Sequence, residues 1–117
     1  MKRDMDLARA ILFEIEKVPY DMDTHEITID GYSKQEVNYH IILLNEAGLI
    51  EALNYSSFSG SAWQPKRLTW KGHEFLDASR DETIWNKAKD TIKGKGLSLS
   101  FDLIYKALIR ILSTEIN

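Results

Sequence analysis

Ser33 and Glu36 stand three residues apart at the head of an apolar-periodic run, and this pair constrains the chain more than any other feature. A Ser hydroxyl placed there takes the amide of the residue three along, while the Glu carboxylate reaches back to the Ser amide. Two orphan donors of a helix start are then met at once. Tyr32 before the cap and Val37 at the fourth helical position are spaced for a hydrophobic staple. Val37, Ile41 and Leu44 form one stripe, with His40 and Ala47 on its flank, and Gly48 supplies the left-handed residue that closes a last turn. The spacing predicts a helix over 34–47. Lys34, Gln35, Asn38 and Asn45 point away from the stripe, and Ile42 and Leu43 widen the apolar surface beyond it.

The flanking segments fall into place around that helix. Leu49-Ile50 lead into an extended arm at 53–55, residues 56–61 (SSFSGS) form a turn-rich tip, and the chain returns through 62–68 to Thr69, a second helix cap. Upstream, a helix beginning at Asp4 or Asp6 carries Leu7, Ala8, Ile11, Leu12, Ile15 and Val18 on one face and ends at Pro19. Phe13 sits off that face, against the core edge or a partner. After an acidic loop (residues 21–25), Glu26 to Asp30 alternates polar and apolar residues. This predicts a short half-buried strand that pairs with the hairpin arms. Downstream, Phe75, Leu76 and Ala78 follow Thr69. Asp81 recaps a helix with Ile84, Trp85, Ala88 and Ile92, and Gly94-Lys95-Gly96 breaks it.

The last predicted helix runs from Ser98 or Ser100 to Thr114 and is apolar on most of its circumference. Asp102, Lys106 and Arg110 recur at spacing four as its one polar line, in the favoured acid-before-base order. A helix that apolar leaves an exposed patch on a small monomer. The expectation is a homodimer through the C-terminal helices, with Leu108 and Ile111 in the interface.

Composition narrows the classes open to such a chain. At 117 residues there is material for one domain with a real core. With 44% hydrophobic and 28% charged residues, wholesale disorder is not expected. The absence of cysteine removes disulfides and thiolate metal sites and fits a reducing, cytoplasmic location. Neither a signal peptide nor a spanning helix is predicted, and so no membrane partner. The net charge is −3, and residues 1–76 hold 8 Lys and Arg against 12 Asp and Glu, whereas residues 77–117 hold 7 against 6. An acidic half opposes strong non-specific binding to phosphates.

Helix, hairpin, helix in this spacing is the layout of a winged helix. The expected fold is α+β: a winged-helix-like domain over 1–79 with a degenerate helix-turn-helix, a small antiparallel sheet and a wing hairpin, followed by C-terminal helices over 80–117 as an oligomerisation element. Ser33 to Ile50 (SKQEVNYHIILLNEAGLI) resembles the recognition-helix segment of winged-helix regulators, and Leu68-Thr69-Trp70-Lys71-Gly72 is similar to their entry into the helix behind the wing. The whole chain resembles an uncharacterised domain-of-unknown-function family of bacteria and their phages. Three blocks carry that match: Met1 to Met5, Glu46 to Ala52, and Pro65 to Lys89. The resemblance implies no activity. Two departures stand out. Only Asp30, Gly31 and Tyr32 separate Ile29 from Ser33, too few for the helix that precedes a recognition helix. Tyr39, Ile42 and Leu43 stand where regulators often carry Arg or Lys.

The candidate chemistry is binding. Lys34, Gln35 and Asn38 either reach base edges of double-stranded DNA or form a solvated helix face. Lys66 and Arg67 at the hairpin base, with Lys2 and Arg3, either meet phosphates or are scattered surface charge. Tyr55, Phe58 and Trp63 form a protein-recognition cluster or pack inward, and Trp70 and Trp85 are expected to pack. His73 and Asp77 share a helix face, but His25 and His40 have no reason to converge there, so no metal is expected. Nor is any cofactor. No nucleophile, phosphate-loop or paired-carboxylate pattern marks an enzyme. Two functions remain open: a phage- or prophage-type DNA-binding regulator, the function that the resemblance to winged-helix regulators implies, or, as the alternative, an adaptor that uses the same scaffold to hold a host or phage protein.

Overall fold

The computed structural model describes residues 1–19, 23–58, 60 and 62–116. Asp21 and Met22 of the expected acidic loop, and Ser59 and Ser61 of the hairpin tip, lie outside the described residues. The elements in chain order are α1 (Met5–Lys17), α2 (Lys34–Glu46), β1 (Ile50–Asn54), β2 (Trp63–Leu68), α3 (Trp70–Ala78), α4 (Glu82–Gly94) and α5 (Phe101–Ile116). The class is therefore α+β, with five helices and one two-stranded antiparallel sheet among the described residues. The chain forms two compact units, Met1–His73 and Glu74–Asn117, divided within α3.

In the first unit, Asp4 caps α1 by accepting the amides of Asp6 and Leu7 at 2.9 and 3.1 Å. Leu7, Ile11 and Leu12 are fully buried, and the helix stops before Pro19 as the ring requires. The capping box of α2 is present, with Ser33 Oγ accepting from Glu36 at 3.1 Å and Glu36 Oε1 accepting from Ser33 at 3.0 Å. Gly48 closes the helix at a φ of +78°. His40, expected on the flank, is buried, with only 2% of its surface exposed. Its ring is nevertheless satisfied, because Nε2 accepts the Asp4 amide and Nδ1 lies against the Glu36 carbonyl, each at 2.8 Å. The Tyr32 hydroxyl donates to the Asp4 carboxylate at 3.2 Å. Asp4 thus ties the start of α1 to α2. Burial of the Tyr32 phenol, reinforced by the Asp4 charge, holds its pKa above the ordinary 10.0.

The strands pair Ile50 with Leu68 and Glu51 with Arg67, then shift so that Ala52 opposes Pro65 and Lys66 becomes the bulged residue. The Ala52 amide at this irregularity is taken by Asn45 Oδ1 from α2 at 3.0 Å.

The strand expected over 26–30 does not form. Its burial alternates as the pattern requires, with Ile27 and Ile29 half-buried between exposed neighbours, yet no ladder joins it to the hairpin. Pro65 explains the difference. Its carbonyl accepts the His25 amide at 3.1 Å, so this edge of β2 faces the segment, but proline has no N–H to return. Thr24 Oγ1 on Gln64 Oε1 at 2.8 Å adds a side-chain tie.

Thr69 joins the end of α2 to the start of α3. Its hydroxyl donates to the Gly48 carbonyl at 2.6 Å and accepts the Gly72 amide at 3.1 Å, while its own amide donates to Leu49 O at 3.0 Å. Gly72 lies so close to this junction that a Cβ there would stand 3.1 Å from the Leu49 carbonyl carbon and closer still to its oxygen.

In the second unit, Asp81 caps α4 through the Ile84 amide at 2.9 Å, and Ser100 caps α5 through the Leu103 amide at 3.2 Å. Phe75 meets Trp85 edge-on at 6.1 Å and Phe101 at 4.7 Å, and Phe101 stacks on Tyr105 at 6.0 Å. Trp85, Ala88, Ile104 and Leu108 are fully buried where α4 and α5 pack together.

Candidate functional site

The first turns of α2, the returning hairpin arm and residues 26–27 enclose an open groove of about 210 Å³. Ile27, Val37, Ile41 and Trp63 form its apolar wall, and Lys34 and Asn38 line it beside them. The Asn38 side chain is already engaged: Oδ1 accepts the Trp63 amide at 2.7 Å and brackets the helix to the hairpin. A carbonyl held this way keeps a second lone pair, but the side chain has lost the freedom to turn its amide onto a base edge in the bidentate manner that reads adenine. Lys34 and Gln35 are exposed.

The basic pair at the hairpin base belongs to a different surface. Lys66 and Arg67 line a second groove with Ile15, Val18, Pro19 and His73. Arg67 grips Glu51 across the strands with two hydrogen bonds, 2.7 and 3.0 Å, and donates a third to its neighbour's carbonyl. A paired guanidinium at a half-exposed site is a weak phosphate ligand, since the carboxylate already occupies its fork. The five nucleic-acid candidates are therefore not brought together.

Among the aromatic candidates, Trp63 is half-buried, whereas Tyr55 is 53% exposed and Phe58 wholly so. Among the described residues no ring contact joins these three, and Tyr55 Oη instead lies 3.4 Å from Thr24 Oγ1. Trp85 packs as expected. Trp70, expected to pack as well, is 80% exposed. Its place five residues before Phe75 puts it off the buried face of α3, a signal present in the spacing. Leu108 is fully buried and Ile111 half-buried, so the surface α5 presents is not the one centred on Leu108. Asp102, Lys106 and Arg110 are exposed and form no ion pair among the described residues. Asp77 pairs with Arg80 at 2.8 Å rather than with His73, and no cluster of three potential metal ligands occurs among the described residues. No described helix is long and apolar enough to cross a membrane.

The arrangement defines an α+β protein whose most elaborated surface is a helix bracketed to a hairpin. Residues 2–98 match the family described as "Hypothetical protein (DUF2513)", and the chain belongs to that family. It is similar to an uncharacterized protein of Haemophilus influenzae, 42% identical over 116 residues covering 97% of each chain. No solved structure matches.

Proposed function

We propose that residues 1–73 form a degenerate winged-helix module, with α2 in the place of the recognition helix and β1–β2 as the wing, and that it recognises protein. The Asn38–Trp63 bracket carries this reading, because it commits to internal structure the polar group best placed to read a base. The pairing of Arg67 with Glu51 supports it, as does the charge of residues 1–73, eight Lys and Arg against eleven Asp and Glu. The wing also exposes Leu53, Tyr55 and Phe58, side chains that suit a protein partner. The resemblance to a family of bacteria and phages favours a host or phage protein as that partner.

The second reading, a DNA-binding regulator, is favoured by the exposure of Lys34 and Gln35 on the first turn of α2. Fluorescence anisotropy with a labelled random duplex at about 50 mM salt separates the two. No binding is expected at concentrations on the order of tens of micromolar, within the roughly 1–100 μM range of non-specific affinities. Binding that weakens steeply with added salt and disappears in Lys34→Glu would establish the regulator instead. A photo-crosslinking residue at position 58 tests the positive side in producing cells. It should give a discrete, nuclease-resistant protein adduct that Trp63→Ser diminishes.

A further inference from the structure

We infer that the groove between α4 and α5, in the second unit, takes an acidic amphipathic helix of a partner protein. The groove is open, with a volume of about 480 Å³, and its floor is apolar: Ile92, Leu97, Leu103, Ala107 and Ile111. Its rim carries three exposed cations, Lys95, Lys106 and Arg110, and no carboxylate lines it among the described residues. None of the three has a hydrogen bond or ion pair from its side chain among the described residues. The two rim hydroxyls have no proton to offer a ligand, because Thr91 and Thr114 donate back to the carbonyls of Lys87 and Ile111 at 2.8 and 2.7 Å. The groove therefore offers an incoming group chiefly apolar contact and positive charge.

That combination decides the occupant. An apolar trough between two helices, read by side chains at helical spacing, is the receptor half of helix-in-groove recognition. Lys106 and Arg110 are four residues apart on α5 and so one turn apart on one face, and they match carboxylates one turn apart on a docked helix. Lys95 belongs to the opposite wall, at the end of α4, and places positive charge on the other flank of the same trough. A second copy of this chain fits less well, because a two-fold pairing lays one groove, lined by three cations and by no carboxylate among the described residues, against the same groove. Like charges so juxtaposed oppose association. A single-headed alkyl anion would use the floor but leave part of the rim unpaired. This surface is separate from the one assigned to residues 1–73, and its test does not depend on that assignment.

The probe is a fluorescein-labelled synthetic helix of about 18 residues, with Leu at i, i+3, i+4 and i+7 and Glu on both flanks. It is titrated against the full chain beside a version with Lys on the flanks. The Glu-flanked helix should bind at least about tenfold more tightly, lose that advantage as salt rises, and move the amide resonances of Leu103, Ala107 and Ile111. Lys106→Glu with Arg110→Glu should remove the preference, and a thermal melt of this surface variant should match that of the parent chain. Equal affinity for both helices, or resonance shifts elsewhere, would overturn the inference. So would full displacement of the helix by dodecanoate. A chain that sediments as a dimer dissolved by Ala107→Glu would assign the groove to a second copy instead.

Discussion

Gly72→Ala tests the packing of α3 against the α2–β1 junction. The added Cβ would stand 3.1 Å from the Leu49 carbonyl carbon, nearer to its oxygen, and 3.5 Å from Leu68 Cβ. Carbon pairs rest at about 3.5–4.0 Å, so the junction must open by several tenths of an ångström at least. The Leu49 carbonyl cannot simply retreat, because it accepts the Thr69 amide at 3.0 Å and moving it lengthens that bond. Overpacking of this kind costs about 1–3 kcal/mol, and replacing a helical glycine returns up to about 1 kcal/mol of propensity. Because the atoms met are backbone and cannot swing aside as a side chain can, the cost belongs at the upper end, about 3 kcal/mol, and the net loss should be about 2 kcal/mol. For a chain of this size that lowers the melting temperature by roughly 6–12 °C. Circular dichroism melts and urea titrations measure it, with Gly94→Ala as the control. Gly94 has nothing within 4 Å of the new methyl, so that variant should be neutral or gain up to about 1 kcal/mol. A Gly72→Ala protein that melts with or above the parent would refute the close approach of α3 to Leu49.

Three further outcomes are expected. Ser33→Ala removes the hydroxyl half of the capping box and should cost about 1 kcal/mol in the same melts; an unchanged curve would mean α2 does not depend on this cap. His40→Leu keeps the volume but strands the Asp4 amide, and should cost about 2 kcal/mol and speed hydrogen exchange at the start of α1. Tyr32 gives an alkaline signature. Its folded pKa is raised above 10.0, so the stability it contributes is fully present below that pH and is lost as pH rises through the higher folded value. Tyr32→Phe should flatten that limb of a stability–pH curve.

What was legible in the sequence was local. Ser33 and Glu36 lie within one turn, and Gly48 within one turn of the residues it closes, so their chemistry is complete without the rest of the chain. The hairpin followed from its turn-rich tip between two extended arms. The segment at 26–30 shows the limit of periodicity: alternation reports which side chains face inward, not whether the backbone finds a partner. Here the neighbouring edge offers Pro65, which accepts but does not donate. Leu108 shows another limit, because an apolar circumference does not say which side a neighbouring helix will cover.

The polar contacts that define the candidate site were hidden for a third reason. Asn38 binds the amide of a residue 25 positions away, and His40 binds one 36 positions away. Nothing in either side chain's local context distinguishes an inward bracket from a solvated surface group. The distinction matters most for function, because a recognition helix is judged by the hydrogen-bonding groups it leaves unsatisfied. In the first unit, Asn38 serves the hairpin, Arg67 serves Glu51 and Arg9 lies over the Phe13 ring at 4.9 Å. Base readout relies on arginine and amide side chains with both hydrogen-bonding positions available. That such groups are turned to the unit's own cohesion while Leu53, Tyr55 and Phe58 stand exposed is what the proposal of a protein partner rests on, and the duplex titration is its test.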